Sequence, residues 1–128
     1  MSRPGLRSVT SAAFGREIPV LTFGTLGLPD LPEDEARALV RVALDLGFEV
    51  FDTADGYGGG QAERLLGRAL GPREGLISTK VGMSRTGGVA HGRLRAGDVI
   101  AGVDRSLERL GRDHVDIVFG HMPDPWCP

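Results

Sequence analysis

Apolar positions along this chain alternate between two rhythms. Four short runs, 19–25, 48–51, 76–81 and 115–119, are continuously or nearly continuously apolar and end in glycine or a polar residue, as buried strands do. Between them, apolar residues recur at helical spacing. The first run breaks at Gly24 and again at Gly27, and Asp30, Leu31 and Pro32 then predict a helix start. Proline suits a first helical turn, and Glu33, Asp34 and Glu35 suit the positive end of the helix dipole. Ala36, Leu39, Val40, Ala43 and Leu44 follow at i, i+3, i+4, i+7 and i+8, a single apolar stripe, and Gly47 stops it. The second strand ends at Asp52, and a glycine-rich turn at Gly56, Gly58, Gly59 and Gly60 leads into a helix over 61–70 with Ala62, Leu65, Leu66, Ala69 and Leu70 on one face. The third strand breaks at Gly82. A polar connection over 83–97 precedes a helix over 98–110 that buries Val99, Ile100, Val103, Leu107 and Leu110; Gly111 ends it, and the fourth strand runs into His121.

The order β-α-β-α-β-α-β predicts parallel strands joined by right-handed crossovers. An open doubly wound sheet and a barrel both satisfy that rhythm. The 128 residues suffice for one domain with a core, and amount to about half of the roughly 250 residues a (β/α)₈ barrel takes. A net charge of −2 offers no basic field for nucleic acid and no polybasic patch for a membrane surface. No apolar run approaches the roughly 18 residues of a membrane span, and the first ten residues lack the apolar centre of a signal peptide. The one cysteine, Cys127, has no intrachain partner, which fits a reducing compartment; the expected location is the cytoplasm. His91, His114, His121 and Cys127 show no zinc-ligand spacing, so no metal site is expected. His91 and His114 read as loop residues, and His114, just before the fourth strand, falls on the face opposite the strand ends.

Composition changes the picture at one point. The basic residues are 14 arginines and a single lysine, Lys80, and there is a single tyrosine, Tyr57. In parallel α/β folds ligands bind at the carboxyl ends of strands. Asp52 closes the second strand, Lys80 lies near the end of the third, His121 follows the fourth, and Tyr57 sits in the loop after the second. Neighbouring strands lie about 4.8 Å apart, so Asp52 and Lys80 can pair while Tyr57 folds back over Lys80. A phenol is a weak acid at neutral pH, and an adjacent ammonium favours its ionised form. Asp52 would hold Lys80 charged and in place, and His121 would donate a hydrogen bond to a carbonyl oxygen. Such a set protonates an oxygen as negative charge develops on it, or deprotonates an alcohol in reverse. Taken singly, each residue also has an ordinary reading: Asp52 on loop amides, Tyr57 as a rim aromatic, His121 as a hydrogen-bonded structural residue, Lys80 snorkelling outward. Gly58, Gly59 and Gly60 lack G-x-G-x-x-G spacing and no Walker lysine follows, so they read as a turn that lets Tyr57 fold back.

The run Phe51-Asp52-Thr53-Ala54-Asp55-Gly56-Tyr57-Gly58, followed by Glu63 and Leu66-Gly67-Arg68-Ala69-Leu70, resembles the signature of the aldo/keto reductase family around its second strand. Ile77-Ser78-Thr79-Lys80-Val81-Gly82 resembles the family's lysine strand. Ser106-Leu107-Glu108-Arg109-Leu110-Gly111, with Val115-Asp116-Ile117-Val118 and His121, resembles its fourth-strand segment. The resemblance implies a (β/α)₈ TIM-type barrel that binds NADPH, or NADH, and moves hydride to an aldehyde or ketone or from the matching alcohol or sugar. It implies Tyr57 as general acid, Lys80 and Asp52 as its tuning pair, His121 as the residue orienting the carbonyl, and Gly24, Thr25 and Asp52 at the nicotinamide end of the cofactor. Family members run on for four more strands that complete the cofactor site. The fold expected is therefore a barrel truncated after about the fourth strand, with an incomplete cofactor site. The alternative is an inactive fragment or half-barrel that needs a partner or self-association through its open edge.

Overall fold

The computed structural model describes residues 5–72 and 75–127. The chain opens with an antiparallel hairpin, β1 (Ser8–Ser11) and β2 (Arg16–Pro19), and then alternates: β3 (Phe23–Gly24), α1 (Glu33–Asp45), β4 (Val50–Asp52), α2 (Gln61–Leu70) and β5 (Leu76–Val81). A second antiparallel hairpin, β6 (Met83–Thr86) and β7 (Val89–Gly92), precedes α3 (Ala96–Leu110) and β8 (Ile117–Gly120). β3, β4, β5 and β8 form one parallel sheet in that order.

The strand period of two decides what lies on each face of this sheet. Phe51, Ile77 and Val81 point to the helices and are buried. With Leu28, Val40, Leu65, Leu66 and Leu110 they form the core between sheet and helices, where each large apolar side chain contributes about 1.5–3 kcal/mol through burial. The other face carries a row in register, Gly24, Asp52, Ser78 and Ile117, with Lys80 beside Phe119 one row nearer the carboxyl ends. The helices approach closely: a Cβ at Gly67 of α2 would overlap the Leu110 carbonyl of α3, so only glycine allows this crossing.

Several sequence expectations are corrected. The first strand is only Phe23–Gly24, because Pro19 belongs to β2. A 3₁₀ turn over Leu28–Asp30 precedes α1, with Pro32 as its N-cap rather than a helical residue. The second and fourth sheet strands start two residues later than their apolar runs, at Val50 and Ile117, and β4 ends at Asp52 as expected. Leu39 (43% exposed) and Ile100 (63% exposed) are not buried. Among the described residues α2 packs against both α1 and α3, whereas the main helical contact of α1 and of α3 is with α2 alone. Val99, Val103 and Leu107 are half-buried. The polar 83–97 connection contains the β6–β7 hairpin, and His91 lies within β7 instead of a loop. No helix among the described residues is long and apolar enough to cross a membrane.

Candidate active site

The carboxyl ends of the parallel strands bring Asp52, Tyr57, Lys80 and His121 together. Lys80 stands on the open face two residues beyond Ser78, which pairs with Asp52 in register. Its Nζ donates to Asp52 Oδ2 at 2.5 Å, to the Thr53 carbonyl at 2.9 Å and to Tyr57 Oη at 3.3 Å. The three donors of the ammonium thus have three acceptors, a set that a planar guanidinium could not meet from the same stem. Burial alone would push the Lys80 pKa down; the hydrogen bonds to Asp52 and Tyr57, with their charges, outweigh it and hold the ammonium above lysine's ordinary value. The other Asp52 oxygen, Oδ1, accepts from Ser78 Oγ at 2.6 Å. Both carboxylate oxygens are therefore engaged by side chains of β5, not by loop amides.

Tyr57 reaches this position through the glycine turn. Gly58, Gly59 and Gly60 have φ of 58°, 62° and 92°, backbone that favours glycine, and a Cβ at Gly58 would lie 2.6 Å from Pro29 Cγ. The turn folds the phenol over Lys80, whose Nζ lies 5.0 Å from the ring centroid. His121 approaches from the next strand, held by its amide on the Val81 carbonyl at 2.9 Å. Its ring meets the Tyr57 ring edge-on, with centroids 5.9 Å apart and planes at 82°.

Gly24 and Thr25 differ in what they offer. Gly24 lines an open depression of about 420 Å³ on the sheet's free face, with Thr22, Val50, Asp52, Ser78, Ile117 and Phe119. Thr25 is fully buried, and its amide and hydroxyl both donate to the Asp52 carbonyl at 3.0 Å. Its side chain ties β3 to β4 and does not face the depression. The lining includes no arginine or lysine, so it supplies no clamp for phosphates. A larger depression, about 610 Å³, lies by Pro72, Arg112 and His114 at the amino ends of the strands, the end that carries stability rather than chemistry in parallel barrels. Among the described residues no group of histidine, cysteine or carboxylate side chains could hold a metal ion.

Three further residues stand in the motifs above without an assigned role. Ser78 braces Asp52. Glu63, fully buried on α2, accepts from Thr79 Oγ1 at 2.7 Å and from Arg109 Nε at 2.6 Å beneath the site. Asp55 faces His121, its Oδ1 3.9 Å from Nδ1. Burial first, and then the charge of Glu63, raise the Asp55 pKa above the ordinary carboxyl value against the opposing pull of His121, Arg109 and the Gly82 amide. Glu63 had a signal, since it shares a helix face with Leu66 and Leu70 at i+3 and i+7. Ser78 and Asp55 had only their neighbours.

Residues 20–128 match the sequence profile of the Aldo/keto reductase family. The chain is 35% identical over 133 aligned residues to a probable voltage-gated potassium channel subunit beta from Oryza sativa subsp. japonica, covering all of this chain and 38% of that protein. It is 34% identical over 93 residues to the aldo-keto reductase YhdN of Bacillus subtilis (strain 168), covering 70% of this chain and 28% of that one. Among solved structures, the glycerol dehydrogenase AKR11B4 from Gluconobacter oxydans superposes with a TM-score of 0.79 at 26% identity, over 100% of this chain and 42% of the other. The chain thus spans less than half the length of each of these relatives. The parallel sheet with its helices is the barrel-type α/β arrangement of those structures, which decides between the two folds that periodicity left open, and the chain belongs to the aldo/keto reductase family.

Proposed function

We propose that this chain carries the proton-transfer side of an NAD(P)H-dependent oxidoreductase that reduces an aldehyde or ketone, or oxidises the matching alcohol or sugar. One observation carries the reading: a single ammonium, Lys80, is bonded at once to a carboxylate and to the only phenol of the chain, at the carboxyl ends of parallel strands. The Tyr57 hydroxyl donates its proton to the carbonyl oxygen as negative charge develops there. Lys80, held by Asp52 and the Thr53 carbonyl, stabilises the phenolate left behind. His121 donates a hydrogen bond to the same oxygen and sets its angle to Tyr57. Gly24, the backbone at Thr25, and Asp52 would hold the nicotinamide end of NADPH or NADH, which when bound supplies the hydride. In the reverse direction Tyr57 accepts the alcohol proton. The expected location is the cytoplasm.

A second reading concerns the free sheet face. β8 is an edge strand, and Phe119 (50% exposed) and Val118 present apolar surface along it, which favours association with a second copy. In this reading the chain by itself is inactive and gains order as a pair.

One experiment separates the two. NADPH fluorescence titration and aldehyde-dependent NADPH consumption are followed on the chain whose mass is monitored by sedimentation. Saturable binding and turnover by the monomer support the first reading. A folded dimer with neither binding nor turnover across a panel of aldehydes and ketones supports the second and overturns the first.

A further inference from the structure

His121 Nδ1 and Asp55 Oδ1 are both buried, and neither has a hydrogen-bond partner. Two buried polar atoms without partners are costly, yet here they face one another at 3.9 Å. That is too long for a hydrogen bond, but catalytic contacts in ligand-free sites commonly tighten only when substrate binds. We propose that Asp55 is a positioning residue for His121: the two share one proton between Oδ1 and Nδ1, and this fixes His121 with its Nε2 hydrogen free to bond the substrate oxygen.

The argument is one of proton counting. A neutral imidazole has one N–H, and if it is to donate from Nε2, Nδ1 must be an acceptor. The group facing Nδ1 must then be a donor, and a carboxyl can donate only when protonated. The shared proton can sit on Asp55, leaving a neutral His121, or on Nδ1, leaving an imidazolium beside a carboxylate. Nε2 carries hydrogen in both cases. When that proton is lost, the carboxylate accepts from Nδ1–H and Nε2 becomes an acceptor, unfit to bond a carbonyl oxygen.

The surroundings fit a proton held in place. Glu63 and Arg109 act on Asp55 from the helix side, and the Gly82 amide bonds its carboxyl. Tyr57 stands against the His121 ring, with Lys80 behind the phenol. Burial and the charge of Glu63 disfavour loss of the proton from Asp55, against the opposing pull of Arg109 and the Gly82 amide. Asp55 also lines a polar cleft with Ser84, Arg93, Asp98 and Arg105, through which water can reach it.

The inference rests on His121 facing the carbonyl oxygen as proposed above, but its test requires no turnover. Ring ¹⁵N NMR of the labelled chain reads the tautomer directly, with His91 and His114 as the other two signals and His121→Gln as the assignment control. At neutral pH wild-type His121 is expected to carry hydrogen on Nε2 and to move toward Nδ1–H in alkali. Asp55→Asn, whose amide donates to Nδ1 without titrating, keeps Nε2–H through the alkaline range. Asp55→Leu loses the preference. Where turnover is measurable, Asp55→Leu lowers kcat by about 10- to 100-fold with a smaller change in KM, and Asp55→Asn retains activity and loses the alkaline fall of the reduction rate. A wild-type His121 with hydrogen on Nδ1 and none on Nε2 at neutral pH overturns the proposal, as does an unchanged tautomer in Asp55→Leu. The wild-type spectrum decides even if the leucine variant does not fold.

Discussion

Tyr57→Phe is expected to lower turnover in carbonyl reduction by about 10²- to 10⁴-fold, the contribution of a well-placed general acid, while leaving the fold unchanged. The substitution removes one oxygen. The ring keeps its edge-on contact with His121, and Lys80 Nζ keeps Asp52 and the Thr53 carbonyl. The loss therefore falls on kcat, and binding of NADPH, which does not need the phenol, stays within a few-fold of the parent. Steady-state kinetics with an aldehyde and NADPH, with circular dichroism as the control of fold, check this. A variant that reduces aldehydes at the parental rate removes Tyr57 from the chemistry and with it the reading of Lys80 as its partner. Lys80→Met would not make the same point cleanly, because it also leaves the Asp52 carboxylate without its cation.

The site was legible because each of its parts left a compositional or positional mark. Lys80 stands in an apolar run in a chain that otherwise uses arginine, and it follows Ser78, which pairs with Asp52, by one strand period. Tyr57 and the glycines after it announce a folded-back loop. The alternation of β and α segments was legible for a related reason: buried strands and amphipathic helices impose different periods on the same apolar residues.

The two hairpins were not legible from periodicity, because their residues are mostly exposed and burial enforces no pattern on them. One signal was available. Gly87 and Gly88, both at positive φ, join β6 to β7, and a two-glycine turn between short strands is a hairpin signal. Leu39 and Ile100 failed in the opposite way: they have the correct helical spacing, but spacing does not say how many flanks of a helix are covered.

The largest expected loss of stability comes from Arg109→Met. Glu63 is fully buried and its Oε2 has Arg109 as its cation, with Arg109 itself only 14% exposed in its side chain. Removing one member of a buried pair leaves the other charged and unpaired, which costs about 3–5 kcal/mol, a large part of the 5–15 kcal/mol by which domains are typically stable. Thr79 still donates to the other oxygen, but one neutral hydrogen bond does not replace a cation. Arg109 also packs where a side chain at Gly60 would stand, 2.6 Å from such a Cβ to its Cδ, so its loss loosens the start of α2 directly after the Tyr57 turn. Urea unfolding measures the cost. Adding Glu63→Gln to Arg109→Met removes the stranded charge and keeps an acceptor for Thr79, so the double variant is expected to be more stable than Arg109→Met alone. If Arg109→Met unfolds within 1 kcal/mol of the parent, on the scale of an exposed ion pair, Glu63 is not held by this contact, and the support beneath Asp55 and the Tyr57 turn comes from packing alone.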